Sequence, residues 1–296
     1  MPIHNPASAS AFAPAHITGF FEICEHKNPV LMGSLGCGVT LRSGVVTSAS
    51  APGHDNMSCN IPVVQSVVSQ LTSCACSVRS RSDIPIGAGF GASGAYALGT
   101  ALALNQALQL NQTASQLTRV AHVAEVENMT GLGDVVAQSL GGVVIRRTAG
   151  ASARLNRIYT GEKNVFWVVF NKISTKELLE DKSTANRINP VGRRSLRELL
   201  KKPTFENFMR QSKRFAVETG LMSDSVSDAV QAVEAAGGMA SQAMLGDVVF
   251  AVDLPERRGA DDAGSADSAT STIEPVLSEF GSVGRSVIDF GGARLI

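Results

Sequence analysis

The segment Pro85-Ile-Gly87-Ala-Gly89-Phe-Gly91-Ala92-Ser93-Gly94-Ala runs straight into Tyr-Ala-Leu-Gly-Thr-Ala-Leu-Ala-Leu, a stretch with strong helix character. Glycines permit turns that aim successive backbone N–H groups at one point. The first turn of a helix adds unpaired donors and a partial positive charge, so phosphate binds at such a junction. Ser93 can cap the helix or offer its hydroxyl to phosphate or to a cation. The same run also suits a tight turn before a small-residue helix packed closely on a sheet.

Two common phosphate loops are excluded on chemical grounds. A Walker loop needs a lysine directly after its glycines, and no lysine occurs between Lys27 and Lys163. Gly89, Gly91 and Gly94 satisfy the dinucleotide spacing. That site, however, also needs a strand immediately before it and an acidic residue about 20 positions later. No Asp or Glu lies between Asp83 and Glu125, and Pro85 cannot donate to a strand ladder. The dinucleotide reading is demoted, and an NAD(P)H titration would test it.

Carboxylates reappear where Arg119 to Asn128, about two turns of expected helix, carries His122, Glu125 and Glu127. The glycine-hinged loop Thr130-Gly131-Leu-Gly133-Asp134 follows. A phosphate loop without lysine leaves triphosphate charge uncompensated, so magnesium held by acidic residues complements it. Glu125 and Asp134 can divide that work, with Glu127 the competing ligand. A helix C-cap with solvated acids is the structural alternative. Further upstream, His16 and Thr18 sit among apolar residues in Ala11 to Glu22. In an extended strand they share a face. His16 could donate to a substrate carboxylate or hydroxyl, or be a buried histidine satisfied by backbone.

The elements that must hold these groups read as mixed α and β. Gly44 to Thr47 and Gly142 to Ile145 are β-prone, and Ser93 to Leu108 is helical. Beyond them come a Trp167-centred strand and a helical zone from Thr175 to Gly220 interrupted by Pro190 and Pro203. A helix from Ser223 to Ala236 and strands at Asp247 to Val252 and Ser286 to Phe290 complete the reading. Residues 1–145 hold 5 basic and 7 acidic residues against 21 and 19 in 146–296. That change in charge density places a domain boundary near Arg146-Arg147, dividing 1–150 from 151–296. The polar stretch 255–272 reads as a mobile surface insertion.

The 26 Lys+Arg balance 26 Asp+Glu, which removes the broad attraction that a nucleic acid or an anionic membrane needs. Small molecules are the expected partners. Apolar stretches such as Val165 to Phe170 fall well short of the roughly 20 residues of a membrane span. Pro2, Pro6 and Pro14 break any signal-type segment. Five irregularly spaced cysteines without a C-x-x-C pair fit a reducing cytoplasm.

The three segments in this order resemble the GHMP kinases, the superfamily of small-molecule kinases named for galactose, homoserine, mevalonate and phosphomevalonate members. The family pattern is Pro, three residues, then Gly-Leu-Gly-Ser-Ser-Ala. Here it reads Pro85, then Gly89-Phe90-Gly91-Ala92-Ser93-Gly94-Ala95, with Phe90, Ala92 and Gly94 departing. Ser93 retains the second serine, and Gly131 to Asp134 looks like the second functional loop. Pro14-Ala-His16-Ile-Thr-Gly-Phe-Phe21, Ala121 to Gln138, Gly141 to Arg146 and Ala243 to Phe250 are similar to the archaeal pantoate kinase branch, over most of the chain.

The resemblance implies ATP-dependent phosphorylation of the 4-hydroxyl of pantoate to 4-phosphopantoate, for coenzyme A synthesis. It implies that Ser93, Glu125 and Asp134 handle ATP, catalysis and magnesium, the metal resting on Ser93 and Glu125. His16 and Arg146 would face pantoate. It further implies an N-terminal α/β domain with a left-handed βαβ crossover, a ferredoxin-like C-terminal domain, a site in the cleft between them, and a homodimer. The nearest counterparts of the superfamily's third glycine motif are Gly237-Gly238 and Ser241 to Gly246. A kinase for another small hydroxy acid or alcohol, and a non-catalytic nucleotide-binding homologue, remain the alternatives.

Overall fold

The apolar N-terminal run forms one 17-residue strand, β1 (Ser8–Cys24), in a computed structural model that describes residues 8–51, 60–171, 182–253 and 271–296. It pairs antiparallel with β2 (Gly33–Ser50), with register shifts at Pro14/Ala15 and Thr18/Phe20. Such bulges re-aim side chains, and these two bracket His16. The other edge of β2 is shared by β3 (Ser77–Ser82) on Val45 to Ser50 and by β4 (Val143–Arg146) on Gly36 to Val39. Two strands from beyond residue 150 complete the sheet. β5 (Leu155–Ile158) lies beside β4, and β10 (Arg294–Leu295) lies beside β1. Every strand pairing among the described residues is antiparallel, which overturns the dinucleotide reading, since that site is built on parallel βαβ units.

Four helices accompany this sheet: α1 (Pro62–Leu71), α2 (Ala92–Ala107), α3 (Ala114–Glu127) and α4 (Asp134–Leu140). In α2, 12 of 16 residues are buried, which is why its sequence is small and apolar all round instead of amphipathic. Its N-cap is Gly91 at φ 60°, with no side-chain cap. Ser93 therefore sits inside the first turn and does not cap the helix. A capping box fixes the start of α3: Gln116 N–H donates to Thr113 Oγ1, and Thr113 N–H donates to Gln116 Oε1. From that start the buried stripe runs through Leu117, Ala121 and Glu125, while Glu127 faces solvent.

The second sheet has the order β7 (Met239–Gln242), β8 (Asp247–Val252), β6 (Asn164–Asn171), β9 (Val283–Val287), antiparallel throughout. Helices α5 (Lys182–Lys201), α6 (Phe205–Glu218) and α7 (Asp224–Ala235) join β6 to β7, and α8 (Glu274–Ser278) joins β8 to β9. This β-α-β-β-α-β plan, with its first and third strands central, is the ferredoxin-like arrangement. Pro203 separates α5 from α6 as the sequence suggests, but Pro190 lies within α5. A proline there costs about 3 kcal/mol, offset by buried Ile188 and Val191 and by docking on β1. Asn189 bonds both the N–H and the C=O of Ile23, and Arg193 pairs with Glu22. The expected insertion at 255–272 lies almost wholly outside the described residues. One apolar core joins both sheets: Phe90 meets Trp167 edge to face at 5.2 Å, and Phe21 meets Phe215 at 5.6 Å.

Candidate active site

The edge of β1 not taken by β2 carries two loops. His16 N–H donates to Phe90 C=O at 2.9 Å, hanging the glycine loop on the strand, and Met244 N–H donates to Thr18 C=O at 2.8 Å. The two loops touch backbone to backbone, since a Cβ on Gly246 would lie 2.3 Å from Ala88 C=O. Of the nearest counterparts of the third glycine motif, Ala243 to Gly246 is thus the part that reaches the site. Gly238 packs instead on Ile273 and Val233. Gly87, Gly89 and Gly91 take φ of 75°, 80° and 60°, a left-handed region closed to most side chains. Phe90, which departs from the family pattern, is buried on Trp167 and fastens the loop to the second sheet.

A cavity of about 410 Å³ opens between these loops. Gly87, Gly89 and Gly91 to Ser93 form one wall, and Thr130 to Asp134 another. Thr18, Phe21, Ser34 and Arg146 also line the cavity, as do Met244 and Leu245. Gly91 brings the loop against Asp134, whose Cβ would be 3.2 Å from a Cβ at position 91. The helix start and the acidic bend therefore share one space.

Beneath Asp134 lies a buried string of polar groups. Asp134 Oδ1 is 2.6 Å from His16 Nδ1, and His16 Nε2 is 3.5 Å from Arg146 Nη1. Burial holds the His16 pKa below its ordinary value despite the opposing pull of Asp134, so the ring is neutral near pH 7. A neutral ring that donates from Nδ1 has Nε2 as its acceptor, the atom that faces Arg146. Burial alone would raise Asp134, but the hydrogen bond from His16 and the charge of Arg146 outweigh it and hold the carboxyl low. Its side chain remains 23% exposed, toward the cavity. His16 is fully buried and does not reach the cavity; the carboxylate above it does.

Glu125 is 1% exposed and is held by Thr130 Oγ1, which donates to Oε1 at 2.6 Å. Its Oε2 has no hydrogen-bond partner among the described residues. Burial, followed by the Asp134 charge, pushes its pKa up to about 7, against the lowering influence of Thr130 and of the nearby Ser93 hydroxyl. Gly131 admits this arrangement, because a Cβ there would lie 2.1 Å from Glu125 Oε2 and 3.2 Å from Asp134 Oδ2. No group of three or more His, Cys, Asp or Glu that could by itself hold a metal ion occurs among the described residues. Magnesium needs none, since it takes one or two carboxylates and fills its shell with water and phosphate oxygens. The buried orphan oxygen of Glu125 beside the Ser93 hydroxyl fits such an ion.

Of the residues singled out in the sequence, the structure brings together Ser93, Asp134, Arg146, Gly87, Gly89, Gly91 and Ala92 around the cavity, with Glu125 directly behind Gly131. Pro85 and Gly94 lie off its wall, Gly94 packing on Gln138 and Val135. Thr130, Met244, Leu245 and Phe90 belong to the site or its frame and carry no local signal beyond their place in the loops.

The glycine loop at a helix start, the convergent carboxylates and the ferredoxin-like second sheet define a kinase of the small-molecule class. Residues 61–142 match the family described as GHMP kinases N terminal domain. The chain is 38% identical over 254 residues to a pantoate kinase of Methanocaldococcus jannaschii, covering 83% of this chain and 93% of that one. It is 33% identical over 262 residues to a pantoate kinase of Thermococcus kodakarensis, covering 82% and 86%. A solved phosphotransferase related to the CoA biosynthesis pathway superposes with a TM-score of 0.83 at 27% identity, over 98% of both chains. The chain belongs to the GHMP kinase family, where it groups with the pantoate kinases.

Proposed function

We propose that this protein transfers the γ-phosphoryl group of ATP to the 4-hydroxyl of pantoate, yielding 4-phosphopantoate and ADP for coenzyme A biosynthesis. The observation that carries the reading is the opening of the Asp134–His16–Arg146 string onto the same cavity as the glycine loop. Pantoate offers a carboxylate, two hydroxyls and a pair of methyl groups. Arg146 suits the carboxylate, because its guanidinium is buried and its Nε lacks a partner among the described residues. Phe21 supplies an apolar wall.

In this reading the amides of Gly91 to Ser93 bind the phosphates and Asp134 receives the acceptor hydroxyl. The 4-oxygen forms a bond to the γ-phosphorus as the bond to the β,γ-bridging oxygen breaks. The hydroxyl proton passes to Asp134, which is ionised and has its position fixed by the His16 Nδ1–H. Magnesium held by Ser93 and Glu125 would neutralise phosphate charge. The cavity collects the phosphate and acceptor groups from residues 1–150 and one further loop from 151–296; the two-domain reading holds only with β5 and β10 of the second segment returning to complete the first sheet. The cysteine pattern supports a reducing cytoplasm and the family resemblance a homodimer, while the zero formal charge favours a small-molecule partner over nucleic acid or an anionic membrane. No helix among the described residues is long and apolar enough to cross a membrane.

Coupled ADP release with pantoate, with pantothenate as control, tests the reaction. Turnover with pantoate alone is expected. ADP release with a different hydroxy acid and none with pantoate would refute the acceptor. Light scattering on the purified protein tests the dimer.

A further inference from the structure

Gln138 has no place in the chemistry above, yet it is a fully buried polar side chain beside the glycine loop. Its Nε2 donates to Gly91 C=O at 2.8 Å and to Pro14 C=O at 2.9 Å. Gly91 C=O also accepts from Ala95 N–H at 3.0 Å, so both of its lone pairs are used. The preceding carbonyl, Phe90 C=O, is held by His16 N–H on β1. Two successive peptides of the loop thus have their oxygens tied back into the protein, one by β1 and the other jointly by Ala95 N–H of α2 and by the Gln138 side chain.

A trans peptide places its N–H opposite its C=O, and no peptide among the described residues is cis. Anchoring Phe90 C=O therefore turns Gly91 N–H outward, and anchoring Gly91 C=O does the same for Ala92 N–H. Both residues line the cavity. With φ of 60° at Gly91, a conformation that glycine reaches at low cost, the single first-turn bond from Ala95 is reinforced by Gln138, which holds the Gly91 oxygen in place. Gln138 is in turn fixed by the C-terminal segment, because Ala293 N–H donates to its backbone C=O at 2.9 Å.

We propose that Gln138 is the positioning residue that turns the Ala92 amide, together with its neighbour at Gly91, toward the phosphates of bound nucleotide. The inference rests on the kinase reading and deepens it.

The test compares the parent with Gln138→Met, which keeps the volume and removes the donor. Thr40→Val serves as a control, because it deletes buried hydrogen bonds to Gly142 and Asp289 away from the loop. Calorimetric titration with a non-hydrolysable ATP analogue should show about a ten-fold weaker Kd for Gln138→Met. That is about 1.4 kcal/mol. The pantoate KM should stay within two-fold, and Thr40→Val should keep the parent nucleotide affinity at a similar loss of Tm. A Gln138→Met Kd within two-fold of the parent overturns the proposal, as does an equal weakening in Thr40→Val. If Gln138→Met does not fold, amide NMR of the parent decides. The Gly91 and Ala92 N–H signals must shift strongly on adding the analogue, and unmoved signals overturn it. Failure of the kinase reading looks different: the parent would bind nucleotide without releasing ADP for any acceptor, or would not bind it.

Discussion

Glu125→Gln is expected to stabilise the ligand-free protein while disabling it. The Glu125 carboxyl is buried and its pKa stands at about 7, against an ordinary value near 4.5. Because the folded value lies above the unfolded one, the parent has its full stability below about pH 4.5 and loses it as pH rises through 7. At about 1.4 kcal/mol per pH unit, the loss reaches about 3 kcal/mol by pH 8. Glutamine copies the protonated form. Its oxygen can still accept from Thr130 Oγ1, and its amide takes the place of Oε2, close to the Asp134 carboxylate. At roughly 2–4 °C per kcal/mol for a chain of this size class, the variant should melt about 6–12 °C above the parent at pH 8. At pH 5 the gap should shrink to about 1 kcal/mol or less. Scanning calorimetry with chelator and without nucleotide measures this. A variant that melts at or below the parent at pH 8, or by the same margin at both pH values, refutes the account of Glu125 as a strained, buried acid kept for binding.

The remaining expectations concern turnover. Asp134→Asn should lower kcat by about 10²–10⁴-fold, the usual worth of a positioned acid–base group, with pantoate KM little changed; kcat within a few-fold of the parent refutes the role. His16→Phe removes the hydrogen bond that holds the Asp134 carboxyl low. The acidic limb of the pH–rate profile should then move to higher pH, with activity at pH 6 suffering more than at pH 8, and an unmoved limb would show that His16 does not tune the carboxylate. Arg146→Ala should raise pantoate KM by about 10–100-fold, from the 1.5–3 kcal/mol of a charge-assisted hydrogen bond, while ATP KM changes less than three-fold. Comparable rises in both constants would place Arg146 outside the acceptor subsite.

Local chemistry made part of this protein readable from its residues. Glycines leading into a run of helix formers yield a loop and helix start wherever they occur, and the Trp167 strand and Asp247 to Val252 lie where their apolar character suggests. Which of Glu125 and Glu127 is buried beside the cavity was not readable, because it depends on the rotational phase of α3, which Thr113 and Gln116 set a dozen residues earlier. Pro190 misled because the docking of α5 on β1 offsets a cost that is purely local.

The sequence by itself determined which groups were available: a glycine loop without lysine, few carboxylates within residues 1–145, and His16 and Arg146 within largely apolar segments. Only the tertiary structure decided which way they point. His16 turned out to be the support of Asp134, with no surface of its own in the cavity. Ala243 to Gly246 became a second loop on the glycine run, and Gln138 became a brace for Gly91. Each of these depends on contacts between residues about 50 to 160 positions apart, and such contacts are set by how the sheets and helices pack, which no local spacing records.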